Sequence, residues 1–205
     1  MGEERPRGGY VELVDWRRRV GGLYAAVRAA DDPADGHEVW RRGRDRLFRE
    51  HPQSPLLAGD PLRGTGLPYW PYDPRLRFAV PLWTVDSGPE LVVPSGGDGD
   101  TRLLRVGYVE VPAPVNARLD VWWLHQYGGG LFVPVRDGTA GDGSYGGGRY
   151  LLDTAKGADL GGHPDLVLDF NFLYHPSCRY NPEWVCPLAP EGNRITVPLR
   201  AGEQL

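Results

Sequence analysis

Ahead of residue 56 the apolar positions recur every three or four residues; after it they alternate or come in short runs between glycines and prolines. Tyr10, Leu13, Val14, Arg17, Val20, Tyr24 and Val27 share one helical stripe, and all but Arg17 can face a core. The stretch "ADDPADG" breaks that period, and Gly36 is a poor helix residue. A second helix is therefore predicted to begin after Asp35 and to run past Val39, Trp40, Gly43, Leu47 and Phe48. Pro52 should stop it, because proline disfavours helical geometry in the residue before it.

The later pattern predicts antiparallel strands at 76–83, 103–111, 119–126, 131–135, 166–174 and 194–199. "LDVWWLHQYGGGLFVPV" reads as a hairpin turning through Tyr127–Gly130, with Pro134 marking an edge or a bulge, since proline cannot donate to a ladder. "PSGGDGD" at 94–100 reads as a flexible hairpin tip. In "DLVLDFNFLY" the alternate residues Leu166, Leu168, Phe170, Phe172 and Tyr174 form one apolar face. Asp169 and Asn171 then project together from the other, toward solvent or a polar pocket. The expected fold is α+β and mostly β: an antiparallel barrel or sandwich with two N-terminal helices packed against it. We read one domain over residues 1–205, helical at 10–51 and β-rich at 56–205.

Composition narrows the class. Hydrophobic residues at 40% and charged residues at 24% are those of a globular chain. A net charge of -4 gives no global attraction to nucleic acid or anionic membrane. Arg41, Arg42, Arg44, Arg46 and Arg49 cluster, and a solvated helical face accounts for them. "MGEERPRGGY" lacks the apolar stretch of a secretory signal, so the cytoplasm, a reducing compartment, is the expected location. No nucleic-acid or membrane partner is expected.

Two segments carry candidate chemistry. "RDGTAGDGSYGGGRY" (136–150) interleaves glycines with Asp137, Thr139, Ser144, Tyr145 and Arg149. Backbone N–H groups in such a loop can cradle an anion, and Arg149 can clamp a carboxylate or phosphate, or else form a structural ion pair. The Gly-Lys-Ser/Thr ending of a nucleotide loop is absent. "HPSCRYNPEWVC" (175–186) holds both cysteines of the chain beside His175. Four readings stay open: buried structural thiols, a disulfide, a metal held by His175, Cys178 and Cys186, or a Cys178 nucleophile activated by His175. His51, before Pro52, is expected to cap or pack at the end of the second helix, and His125 to sit in the core or at its rim. "LPYWPYDP" (67–74) is expected to lie extended over the β core.

"HPQSPL", "LPYWPYDP", "DGTAGDGSYGGGRYL", "LDFNFLYHPSCRYNPEWVCPLAP" and "NRITVPLRAGE" follow one another in the order seen in domain-of-unknown-function family 1684 of bacteria and archaea. The chain resembles that family from roughly Trp40 to Glu203, most specifically from Arg136 onward. Many relatives read Asn-Pro-Pro-Cys where this chain has His175-Pro176-Ser177-Cys178, and Thr-Ser-Gly at 139–141. An asparagine at position 175 means that a histidine-held metal is no general property of the family. Cys178, Cys186, Asp137, Thr139, Tyr145, Arg149, Asn171 and Tyr180 match its pattern. The resemblance implies no established activity and no cofactor.

The expectation is therefore a protein that binds a small, anionic molecule in a polar pocket of a β-barrel, with enzymatic turnover left open. Asp137 or Asp169 would act as general base, with His175 beside them. Thr139, Ser144, Tyr145, Arg149, Asn171 and Tyr180 would contact the ligand, the glycine-rich loop and the late strand converging on one pocket. The alternatives are a metal-binding protein through His175, Cys178 and Cys186, or a non-catalytic structural or interaction module.

Overall fold

The computed structural model describes residues 9–94 and 100–205. The hairpin tip expected at 94–100 therefore lies mostly outside the described residues, although Pro94 and Asp100 pair across its base.

Helix α1 spans Gly9–Arg28 and α2 spans Pro33–Glu50. The second begins earlier than its apolar pattern implied. The Asp32 carboxylate accepts from the Ala34 N–H at 2.7 Å, and Pro33 occupies the first turn, where its missing N–H costs nothing. Gly36 is helical because α1 passes close by: a Cβ there would stand 3.2 Å from the Val27 carbonyl oxygen. His51 ends α2, its N–H bonded to Leu47 O and its ring Nε2 3.2 Å from Asp15. A single turn, α3, follows at Leu62–Thr65. Among the described residues no helix is long and apolar enough to cross a membrane.

Eight strands follow: β1 (Arg77–Val80), β2 (Trp83–Thr84), β3 (Glu90–Pro94), β4 (Asp100–Val111), β5 (Ala117–Leu124), β6 (Leu131–Val135), β7 (Arg149–Asp153) and β8 (Leu166–Asp169). All ladder pairings between them are antiparallel. β1 pairs with β8, while β2, β4, β5, β6 and β7 lie in that order in a second sheet, with β3 also on β4. β7 does not return to β2 or β3, so the large sheet is open and the expected barrel does not close. Pro134 marks the predicted bulge, where the register between β6 and β7 shifts.

The main core lies between the two sheets, with Val80 and Leu168 from the small one facing Val109, Leu119, Val121 and Val133 from the large one. The opposite face of the large sheet buries Leu103, Trp122, Phe132 and Tyr150, as the two-residue period of a strand requires. A third cluster joins the helices to the β part through Tyr24, Trp40, Leu47, Phe48, Phe172 and Tyr180.

Three predicted strands are shorter than their patterns. Pro81 divides the first into β1 and β2. The last, 194–199, contributes only a single bridge, Arg136 to Arg194. The strand at 166 ends at Asp169, whose carboxylate accepts from the Asn171 N–H and starts a 3-10 turn at Phe170–Phe172. That turn splits the supposed apolar face: Leu168 and Phe170 join the inter-sheet core, whereas Phe172 and Tyr174 join the helical cluster. β3 and β7 had no counterpart in the sequence reading.

The C-terminal tail determines how the candidate residues meet. Its backbone donates from Glu203 to Leu173 O at 2.8 Å, from Gln204 to Pro68 O at 3.0 Å and from Leu205 to Gly143 O at 2.8 Å. It also accepts from the Trp70 N–H at Gly202 O. Gly202 makes this possible. Its φ is +73°, and a Cβ there would press into the Leu173 backbone.

Candidate functional site

Four polar groupings result, and three are closed. In the first, Arg149 is 1% exposed at the start of β7. It donates to the carbonyls of Ala201 (2.5 Å), Glu203 (2.9 Å) and Leu199 (2.9 Å) and to Asp137 Oδ1 (3.1 Å). Asp137 also accepts from the Leu199 N–H at 2.6 Å and from Thr139 Oγ1 at 3.0 Å, and Thr139 Oγ1 lies 2.8 Å from Ser144 Oγ. The Trp70 ring stacks 5.1 Å from the guanidinium. Asp137, Thr139, Ser144 and Arg149 thus converge as expected, but on the protein's own tail. Arg149 directs hydrogen bonds to the tail and to Asp137, and Asp137 accepts from Arg149, Thr139 and Leu199.

The second grouping centres on Glu203, also 1% exposed. Arg44 approaches its Oε1 through Nε at 2.8 Å and through a terminal nitrogen at 2.7 Å. Tyr180 Oη (3.0 Å) and the His175 N–H (2.5 Å) donate to its Oε2. Arg44 is stacked on Phe48 at 4.6 Å and on Tyr174 at 4.8 Å, so it departs from the solvated face assigned to its arginine cluster. His175 accepts from the Tyr145 N–H at Nε2 (3.1 Å), which leaves its proton on Nδ1, facing Glu203 at 3.6 Å. Burial first, then Arg149, Arg179 and Arg44, lower its pKa to about 2. The ring is neutral, and its one lone pair is occupied. Nε2 of His175 is thus engaged by Tyr145 and Nδ1 faces Glu203, while Tyr180 donates to Glu203.

In the third grouping Asn171 exchanges bonds with the Asp73 backbone, accepting its N–H at 2.8 Å and donating to its carbonyl at 2.8 Å. Asp169 accepts from Asn171 Nδ2 (2.7 Å), Tyr72 Oη (3.3 Å) and Arg77 (3.4 Å). Burial raises the Asp169 pKa despite these donors. This grouping fastens the 67–74 segment over β8. Among the described residues no hydrogen bond joins it to the Arg149 grouping. A groove of about 600 Å³ lies between α1 and α2, lined by Leu23, Ala26, Val39 and Arg42.

The fourth grouping is open. Cys178, on the 3-10 turn Ser177–Arg179, and Cys186, on the returning chain, are free thiols and both half-buried. Cys178 Sγ lies 3.8 Å from Tyr145 Oη, donating to it. The two sulfurs are neighbours. The Cys178 S–H, the backbone N–H groups of Cys178 and Ser177, and the charge of Lys156 all stabilise a thiolate at Cys186. Against the opposing effect of burial they lower its pKa to about 6, while the same contact and burial raise that of Cys178. Among the described residues no three His, Cys, Asp or Glu side chains gather as metal ligands. The three-ligand set of His175, Cys178 and Cys186 is not assembled, because the imidazole points to Tyr145 and Glu203.

The chain matches the family described as "Protein of unknown function (DUF1684)" over residues 64–204. It belongs to that family. All four groupings draw on the matched region, with Arg44 and the Phe48 ring it stacks on lying outside it. No curated protein matches the chain. Its fold is similar to the solution NMR structure of an uncharacterized protein from gene locus rrnAC0354 of Haloarcula marismortui. The TM-score is 0.58 at 30% identity, and the match covers 82% of this chain and 91% of that one.

The sequence reading passed over Arg44, Glu203, Ser177 and Lys156. Arg44 had a signal: it lies four residues from both Trp40 and Phe48, on the apolar stripe of α2. Lys156 is the one lysine of the chain, yet nothing local ties it to Cys186.

Proposed function

We propose that the protein acts through a thiolate at Cys186, as a nucleophile toward a small electrophilic molecule. The observation that carries this reading is that two free, half-buried thiols lie in one short segment, with Cys178 Sγ 3.8 Å from Tyr145 Oη, beside a Cys186 pKa that the Cys178 thiol lowers most. An anion-cradling backbone was expected of the glycine-rich loop. In this reading the cradle lies at 177–178, and the anion it holds is the protein's own sulfur. Trp184, Val185 and Leu188 are exposed around it and offer an apolar ledge for the organic part of a substrate. Lys156 and Arg179 bring positive charge to the same corner, favouring a substrate that also carries an anionic group. A cytoplasmic, reducing setting belongs to the reading, because it keeps both thiols available.

Alkylation of the reduced protein across pH tests it. Cys186 is expected to react with a midpoint near pH 6. At pH values below that of an ordinary thiol it should react about tenfold faster than a free cysteine, allowing for the weaker intrinsic nucleophilicity of a low-pKa thiolate. Cys186→Ser removes this phase. A rate that keeps rising through pH about 8.5, as for an unperturbed thiol, overturns the reading.

A further inference from the structure

The groove between α1 and α2 gives two of the clustered arginines, Arg42 and Arg46, a more specific setting than a solvated face. The helices run antiparallel: His51 Nε2 lies 3.2 Å from Asp15 at one end, and Gly36 approaches Val27 at the other. Between these contacts Gly43 packs so closely on Leu23 that a Cβ there would press into the leucine side chain. Leu23, Ala26, Val39 and Leu47 supply the apolar lining of a space of about 600 Å³, a size within the range of small-molecule sites. Gly22 keeps one wall open. It stands inside α1, where glycine weakens a helix relative to alanine, and a Cβ there would meet nothing within 4 Å. Neither a positive φ nor a close neighbour requires glycine at that position.

Arg19, Arg42, Arg46 and Glu50 edge the same space. Asp15 holds Arg19 at 2.8 Å and Glu38 holds Arg42 at 2.9 Å, each carboxylate from the arginine's own helix. Among the described residues no side-chain hydrogen bond or ion pair engages Arg46. His51, at the far end, is committed to Asp15 and to the Gln53 N–H. One guanidinium is thus left for one negative group beside an apolar surface. Glu50, one turn beyond Arg46, would repel a second negative charge, which favours a carboxylate over a dianionic phosphate.

We propose that this groove binds a free, single-chain fatty acid. Its carboxylate pairs with Arg46, and its acyl chain lies over Gly22 along Leu23, Ala26 and Val39. Arg46 and Val39 are seven residues apart on α2, about 10 Å along the axis, a span that a medium-length chain covers. Apolar contact supplies most of the affinity, because an ion pair at an exposed guanidinium contributes little in water. The carboxylate sets the orientation and favours the acid over a neutral amphiphile of equal length. The groove shares no lining residue with the Cys178–Cys186 corner, so the site is independent of the thiolate reading.

Calorimetric titration of the full-length protein with decanoate, kept below its micelle concentration, tests the site. Wild type is expected to bind decanoate saturably and octanoate about tenfold more weakly, since two fewer methylenes leave water. Decanol, which lacks the charge, should bind about fivefold more weakly than decanoate. Gly22→Leu fills the groove with a better helix former, so binding should vanish while the thermal melt stays at or above that of wild type. Arg46→Glu, a change at an exposed position, should bring decanoate down to the level of decanol or below. The proposal is overturned if decanoate does not saturate, if Gly22→Leu binds it equally, or if decanol binds as tightly. Co-sedimentation with phosphatidylglycerol vesicles that Gly22→Leu abolishes would assign the groove to a membrane surface instead. A dimer in light scattering that Gly22→Leu dissociates would assign it to a second copy of the chain. Either result overturns the free fatty acid.

Discussion

The Arg149 grouping and the Cys178–Cys186 corner are built from the same part of the chain and look equally rich in chemistry when read as letters. They differ in what their polar atoms face. Arg149 directs donors to three tail carbonyls and one carboxylate, and the tail closes over them. At the thiol corner the stabilised group is a half-buried sulfur that no disulfide ties. A buried charge held by the protein's own groups fixes a fold, because removing either partner strands the other in a low-dielectric interior. A stabilised charge that still reaches solvent is available to react. Polar density identifies neither; the direction of the donors does.

The largest effects should fall on the closed side. Arg149→Ala removes the counter-charge of buried Asp137 and the side-chain donor to three tail carbonyls, and Glu203→Ala leaves Arg44 buried beneath Phe48 and Tyr174. Each is expected to lower stability by about 3–5 kcal/mol in denaturant melts, the usual cost of breaking a buried pair from one side. If Arg149→Ala melts like wild type, the clamp is not structural and the contrast between the two regions collapses.

Acid should act next. His37 is 3% exposed among Trp40, Tyr72 and Phe172, and burial lowers its pKa from 6.5 to about 4. As pH falls through 6.5 the unfolded chain takes up the proton first, so stability is complete above 6.5 and declines toward pH 4. That loss amounts to about 3 kcal/mol. His37→Phe should reduce the slope across this window by about half, His175 supplying a like share, and an unchanged slope would place the acid sensitivity elsewhere.

Gly202→Ala comes third. Its positive φ and its contact with the Leu173 backbone predict a loss of about 1–3 kcal/mol and a loosened tail. Slowed exchange of the Glu203 amide in wild type, lost in the variant, would sharpen the point.

On the open side the order reverses. Cys178→Ala and Cys186→Ser should each cost about 1 kcal/mol or less, as changes outside a core do. Cys178→Ala removes the S–H donor and should move the Cys186 reactivity midpoint upward. A midpoint that stays in place would leave the backbone donors and Lys156 as its whole cause.

The sequence patterns disclosed what local periodicity controls. Both helices, the Tyr127–Gly130 hairpin, β6 and the Pro134 bulge followed from spacing and turn chemistry. What they did not disclose depends on distant partners. β7 hides behind a run of glycines, and its five residues are buried on both sides, without alternation. The strand at 166 ends early because one Asp169 carboxylate captures the Asn171 N–H, a local bond that outcompetes an otherwise regular pattern. The polar residues of 136–150 were correctly grouped, but their partner is a C-terminal tail whose course no period encodes. Arg44 was misplaced because a charge on an apolar stripe is buried only when a carboxylate as remote as Glu203 arrives to meet it. The cysteines were visible as a cluster; the backbone N–H groups that distinguish Cys186 from Cys178 were not.

Ultraviolet titration of thiolate absorbance, comparing reduced wild type with Cys186→Ser, bears most directly on the central claim. One thiolate should appear with a midpoint near pH 6 in wild type and vanish in the variant. Absence of any thiolate signal until above pH about 8, or its persistence in Cys186→Ser, would contradict the account.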